Sequence, residues 1–206
     1  YETTEDAAGI GELAEKMADV YFGIPKDVRN KGLKITVSTS ILVPKPFTPF
    51  QWAPMARPEI VDERIKAVRG AIKSRSIVYN YHEQETSFME AVFARGDRRT
   101  CDVLIKAFEK GAKFDGWSEY FNMEIWNEAM EECNLDSEFY VYREREYDEI
   151  LPWDFIDIGV NRKYMERENE KAKKAELTKN CLEGCTGCGI NVNFKEGKCF
   201  EGAIRN

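Results

Sequence analysis

The chain has 206 residues, 43% of them hydrophobic and 12% aromatic, with a formal net charge of −7. That is enough apolar material for one packed domain with a small appendage, and too much for a disordered chain. No stretch reaches the roughly 20 apolar residues that cross a bilayer, no signal peptide opens the chain, and the negative balance disfavours general electrostatic capture of nucleic acid.

Thr3-x-x-Asp6 has the form of a capping box, and Ile10, Leu13, Met17 and Val20 follow at helical spacing up to Gly23-Ile24-Pro25. This predicts an amphipathic helix. Residues 33–43 are β-branched and alternate, predicting a strand with Ile35, Val37 and Ile41 on one side and Thr36, Ser38 and Ser40 on the other. Three prolines between Pro44 and Trp52 end it in an aromatic loop. A second helix starts near Pro58 with Val61, Ile65, Val68 and Ile72 toward the core, and a short strand, Ser76 to Tyr81, follows.

Helix, strand, helix, strand implies parallel pairing. Two strands are fewer than a sheet usually holds, so further strands are expected from outside this segment. The chain begins with Tyr1, not Met, which agrees with that expectation.

Helices alone are expected beyond Ser87. Ser87-x-x-Glu90 reads as a capping box of a helix that stops at Gly96. Another carries Cys101, Leu104 and Phe108 before Gly111, and a third carries Trp126, Ala129, Met130 and Cys133. A highly charged helix from about Asn161 to Lys174 reads as a solvated face.

Of six cysteines, Cys181, Cys185, Cys188 and Cys199 crowd into the end of the chain. Such clustering suits metal binding in a reducing, cytoplasmic setting better than a disulfide framework. In Cys181-x3-Cys185-x2-Cys188, Gly184 and Gly187 let the backbone bend so that three thiolates converge. The ligand type leaves an iron–sulfur cluster, a zinc ion with Cys199 as fourth ligand, and reduced free thiols all open. His82, the only histidine, closes the second strand, where a ligand contact and a polar helix-entry role are both open. Gly96-Asp97-Arg98-Arg99 offers arginines to an anion, against a simpler reading in which Asp97 caps a helix and the arginines pair locally. There is no Gly-rich phosphate loop, serine nucleophile elbow or paired-histidine zinc motif.

Several segments together resemble a family of bacterial radical S-adenosylmethionine (SAM) proteins whose longer members carry a cobalamin-binding-type domain ahead of the barrel. They are Tyr1-Glu2-Thr3-x-Glu5-Asp6, Val37-Ser38-Thr39-Ser40, Val43 to Trp52, Ser87-x-x-Glu90-x-x-x-Ala94-Arg95-Gly96-Asp97-Arg98-Arg99, Phe114 to Glu119, Leu151-Pro152-Trp153-Asp154 and Cys181 to Gly189. The resemblance implies an α/β fold: the trailing two strands and helices of a partial (β/α)6 radical SAM barrel over residues 1–95, a mostly helical extension over 96–176, and a Cys-rich metal-binding tail over 177–206.

It further implies SAM and a [4Fe-4S] cluster in the complete protein, with cobalamin possible. Ser38, Ser40, Pro46, Asn80 and His82 would stand at cofactor-binding positions, and Cys181, Cys185, Cys188 and Cys199 would be metal ligands. The family's catalytic Cys-x3-Cys-x2-Cys follows the first barrel strand, which this chain lacks, so the triad here is expected to be an accessory site. The missing upstream part of the same polypeptide would be the partner, acting on a substrate that the sequence does not name. The alternative is a helical binding or structural module with a zinc or iron–sulfur Cys knuckle.

Overall fold

The computed structural model describes residues 2–30 and 32–194. The chain divides into two compact units, one made of Glu2–Val43 and Met55–Glu90, the other of Pro44–Pro54 and the chain from Ala91 on.

In the first unit, α1 (Thr4–Gly23) opens with the expected box: Thr3 Oγ1 accepts from Asp6 N at 3.1 Å, and the Asp6 carboxylate accepts from Thr3 N at 2.8 Å. β1 (Ile35–Thr39) and β2 (Ile77–Tyr81) form a parallel two-stranded sheet in register from Ile35 with Ile77 to Thr39 with Tyr81. They are joined through α2 (Pro58–Ala71), which has Pro58 in its first turn. The strand is shorter than residues 33–43 because only five residues have a ladder partner.

The buried face of α1 is not the one that its large residues suggest. Ala7, Gly11, Ala14 and Ala18 are buried, whereas Ile10, Leu13, Met17 and Val20 are exposed. The two rows lie roughly 110° apart around the helix. The small row wins because it lets the backbones approach: a Cβ on Gly11 would lie 2.6 Å from the Val68 carbonyl oxygen and 2.8 Å from Ala71 Cβ. Ala14 and Ala18 then pack on Val37 and Ile77, with Ile35, Ile72 and Tyr79 around them. The Glu15 carboxylate accepts from the backbone N–H groups of Lys73 and Ser74 at 2.5 and 2.6 Å, securing the end of α2.

α3 (Gln84–Arg95) starts before Ser87, so Ser87 is not its cap. Its hydroxyl instead donates back to the Glu83 carbonyl at 2.9 Å, inside the first turn.

The second unit is helical: α4 (Thr100–Glu109), α5 (Met123–Glu132), α6 (Ser137–Val141), α7 (Arg162–Lys173) and the single turn α8 (Ile190–Asn193). On α5, Trp126, Ala129 and Met130 are buried as expected. On α4 the expected face is turned out: Cys101, Leu104 and Phe108 are exposed, and Val103 and Ala107 are buried. Short residues again occupy the close helix contact.

The aromatic loop belongs to this unit. Trp52 is 1% exposed and clusters with Leu151, Trp153 and Met165, with Phe47 and Tyr147 at the margin. That is why the chain does not divide at residue 95: the loop side chains are core for the later helices.

Arg95, fully buried, clamps three segments. Its Nε donates to the Tyr140 carbonyl at 2.8 Å, and its terminal nitrogens reach the carbonyls of Arg143 at 3.4 Å and Gln51 at 3.5 Å. Arg145 is also buried; its guanidinium donates to the Arg95 carbonyl at 2.7 Å and lies over the Trp153 ring.

The tight α1–α2 contact gives paired expectations. Gly11→Ala is expected to lower the unfolding free energy by about 1–3 kcal/mol despite its better helix propensity. Gly9→Ala, with nothing within 4 Å of the new methyl, should raise it by up to about 1 kcal/mol. Urea unfolding of both variants measures the difference.

Candidate functional site

Alternation along the two strands places Ser38 and Asn80 on the sheet face opposite Val37 and Ile77, and the register sets them side by side. Both are exposed. Ser40 and His82 follow the carboxyl ends of β1 and β2 and are exposed too, and His82 N extends the ladder to the Thr39 carbonyl at 3.3 Å. Four of the five positions expected to bind a cofactor therefore gather on the strand ends of one parallel pair. Pro46, half-buried in the Pro44–Pro54 segment, belongs to the other unit.

The cysteine loop is docked on the start of α7. Asn161 N donates to the Cys188 carbonyl at 2.8 Å, Arg167 donates to the Thr186 carbonyl at 2.7 Å, and the Thr186 hydroxyl meets Tyr164 at 3.3 Å. Gly184, Gly187 and Gly189 have φ of 153°, 75° and 102°, so bends there need glycine. Cys181 and Cys185 are exposed, Cys188 is half-buried, and all three are free thiols.

As donors these thiols suit a soft metal. Among the described residues, however, no three His, Cys, Asp or Glu side chains are gathered so as to hold a metal ion. Cys199 lies outside the described residues. Binding a metal would require the glycine-hinged loop to draw its sulfurs together.

A feature that sequence reasoning missed is Gln51, 3% exposed, at the wall of a cleft of about 270 Å³ also lined by Phe47, Asp154, Asp157, Arg162 and Met165. Its Oε1 accepts from Trp153 Nε1 at 2.7 Å and from Phe47 N at 3.1 Å. Two donors on the oxygen orient the amide and leave Nε2 facing Met165 Sδ at 3.7 Å. Arg162 closes the cleft by binding Asp154 at 2.8 Å and the Tyr147 and Glu149 carbonyls at 2.8 and 2.7 Å. The available signal was an uncharged amide flanked by Phe50 and Trp52, though its partner lies 102 residues away.

Arg98 is exposed, while Arg99 is tied to Asp97: the carboxylate accepts from Arg99 N at 2.9 Å and from its guanidinium at 2.6 Å. Tyr140 also donates to Asp97 at 2.8 Å. The Arg99 hydrogen bonds hold the Asp97 carboxyl well below the usual carboxylate range, with Tyr140 adding to them. Burial and the Asp97 charge push the Tyr140 hydroxyl up to about 12. The Arg99 half of the simpler reading holds, as a local staple on Asp97, but Asp97 does not cap α4: the cap position is Arg99, with no side-chain cap bond.

No protein family, curated protein or solved structure matches the chain. By structure it is an α/β protein with eight helices and a two-stranded parallel sheet among the described residues. No helix there is long and apolar enough to cross a membrane.

Removing the Gln51 amide strands one buried donor, Trp153 Nε1, and one half-buried donor, Phe47 N. Gln51→Leu is expected to cost about 2–6 kcal/mol of stability, summing roughly 1–3 kcal/mol for each unmet group, with urea unfolding as the measurement. Asp97 has a depressed folded-state pKa, so its contribution is fully present above an unfolded value of about 3.9 and is lost as pH falls through the folded one. Asp97→Asn should flatten the acid side of a plot of urea midpoint against pH.

Proposed function

We propose that this chain is part of a radical SAM iron–sulfur enzyme, in which it completes a β/α barrel and lines the substrate cavity. The observation that carries the reading is the parallel β1–β2 pair with Ser38, Asn80, Ser40 and His82 at its carboxyl end. β/α barrels build their sites at that end of their strands. The family itself rests on the sequence resemblance.

Two surfaces support a larger assembly. Neither strand has a second ladder partner among the described residues, and α1 exposes the row Ile10, Leu13, Met17 and Val20. Additional β/α units supplied by upstream polypeptide would cover both. Ser38, Asn80 and His82 would offer hydroxyl, amide and imidazole groups to bound SAM, and cobalamin would be contributed by the upstream domain. SAM and its catalytic cluster supply the radical chemistry, while the barrel lining selects the substrate. The triad Cys181, Cys185 and Cys188 would hold an accessory [4Fe-4S] cluster.

A second reading, a helical module with a zinc or iron–sulfur knuckle, is favoured by the docking of the cysteine loop on α7 within one compact unit. Zinc would take Cys199 as its fourth ligand.

Metal analysis after anaerobic preparation decides which metal the triad holds. Iron and sulfide in cluster stoichiometry, with broad visible absorption that disappears in Cys185→Ala, is the expected result. Stoichiometric zinc without iron would refute the cluster and favour the knuckle.

A further inference from the structure

One stretch of chain, residues 157–165, serves two features at once. Ile158, Val160 and Arg162 line the Gln51 cleft, and the residues alternating with them hold the cysteine loop. Asn161 N donates to the Cys188 carbonyl and Asn193 Nδ2 to the Gly159 carbonyl, each at 2.8 Å. Farther along, Tyr164 and Arg167 meet Thr186, while Met165 between them lines the cleft. The fit is close at two glycines: a Cβ on Gly189 would lie 2.7 Å from Asn161 Nδ2, and one on Gly159 would run into the Phe194 ring. Packing of that kind passes a displacement on instead of absorbing it.

The far end of the connection is equally fixed. Arg162, next to Asn161, is tied to Asp154 and to the Tyr147 and Glu149 carbonyls, and Asp154 itself accepts from Leu151 N at 2.8 Å. Trp153, the neighbour of Asp154, bonds Gln51 through its indole N–H. At the near end, Cys188 is both a candidate ligand and the residue whose carbonyl Asn161 binds. It stands between Gly187 and Gly189, which have positive φ. Three thiolates on one centre must converge, and no three such side chains converge among the described residues. Ligation therefore moves the loop.

We propose that the cysteine loop is a metal-operated switch of the Gln51 cleft, the shared wall at 158–162 carrying the motion from one to the other. The inference rests on the reading of Cys181, Cys185 and Cys188 as metal ligands. Any soft centre that gathers the three sulfurs acts in this way. With a divalent ion, a thiol proton leaves as each sulfur–metal bond forms and no oxidation state changes. Drawing Cys188 toward the ion pulls on Asn161 and Gly159, and the shift arrives at the Arg162–Asp154 pair that closes the cleft. The loop supplies the two arrangements that coupling between sites requires. Coupling is reciprocal, so a ligand that favours one shape of the cleft changes the metal affinity by the same factor.

The test uses the full chain with 15N-labelled tryptophan, titrated anaerobically with cadmium ion alone, whose thiolate charge-transfer absorption reports ligation. That absorption should rise to saturation with the Trp153 indole N–H shifting in step, while the indole of Trp126, which lines no part of the cleft, stays in place. Cys185→Ser should lose most of both responses. Asn161→Pro, which keeps the residue's φ of −65° but removes the donor to Cys188, should keep the absorption and lose most of the Trp153 shift. Asn193→Ala, which deletes only the bond to Gly159, should weaken the shift likewise, and it replaces the proline variant if that variant's Trp126 signal moves. Absorption without a Trp153 shift, or a full shift in the decoupled variants, would overturn the switch and leave the triad reading standing. No absorption would overturn both.

Discussion

The helical unit depends on a positive charge buried where no carboxylate bonds it. Arg95 spends its guanidinium on three backbone carbonyls, from the aromatic loop, from α6 and from the strand of chain that follows α6. Burial and the nearby charges of Arg145 and Arg143 lower its pKa to about 10, so it stays protonated at neutral pH. Carbonyl dipoles compensate the charge because the fork presents several donors in fixed directions. The same interaction satisfies backbone groups in segments that form neither helix nor sheet with one another. Arg145 repeats the device on a smaller scale, closing onto the Arg95 carbonyl.

Gln51 does for side chains what Arg95 does for carbonyls. Its oxygen gathers the indole N–H of Trp153 and the backbone N–H of Phe47, so the loop 44–54 and the Leu151–Trp153 segment share one core. With the buried amide in place, Trp153 is oriented as well as buried. The cleft beside Gln51 takes its walls from these constraints, and the start of α7, which also lines it, is the place where the cysteine loop docks. A metal drawn into that loop would act on the same helix end.

The first unit follows a different rule. A row of small residues brings α1 against α2 and the sheet, which leaves larger apolar side chains facing outward. The polar sheet face with Ser38 and Asn80 is open as well. Both are consistent with the proposed role as a segment of a larger β/α assembly, in which these surfaces acquire neighbours.

Sequence alone determined where most helices and strands lie. Capping groups, prolines and alternation act on the backbone within a few residues, so the Thr3 box, the Pro58 start and the β-branched run at Ile35 were legible without any partner. It also placed Ser38, Asn80 and His82 at strand ends, since strand direction follows from chain order once the pairing is parallel. Which face of a helix becomes core was decided only by tertiary structure: size at Ile10, Leu13 and Leu104 mattered less than the close approach that Gly11, Ala14 and Ala107 permit. The partners of Arg95 lie 44 to 48 residues away and the Trp153 partner of Gln51 lies 102 away, and no local pattern encodes them. Periodicity reports that a helix has an apolar side, whereas burial depends on what comes near enough to exclude water.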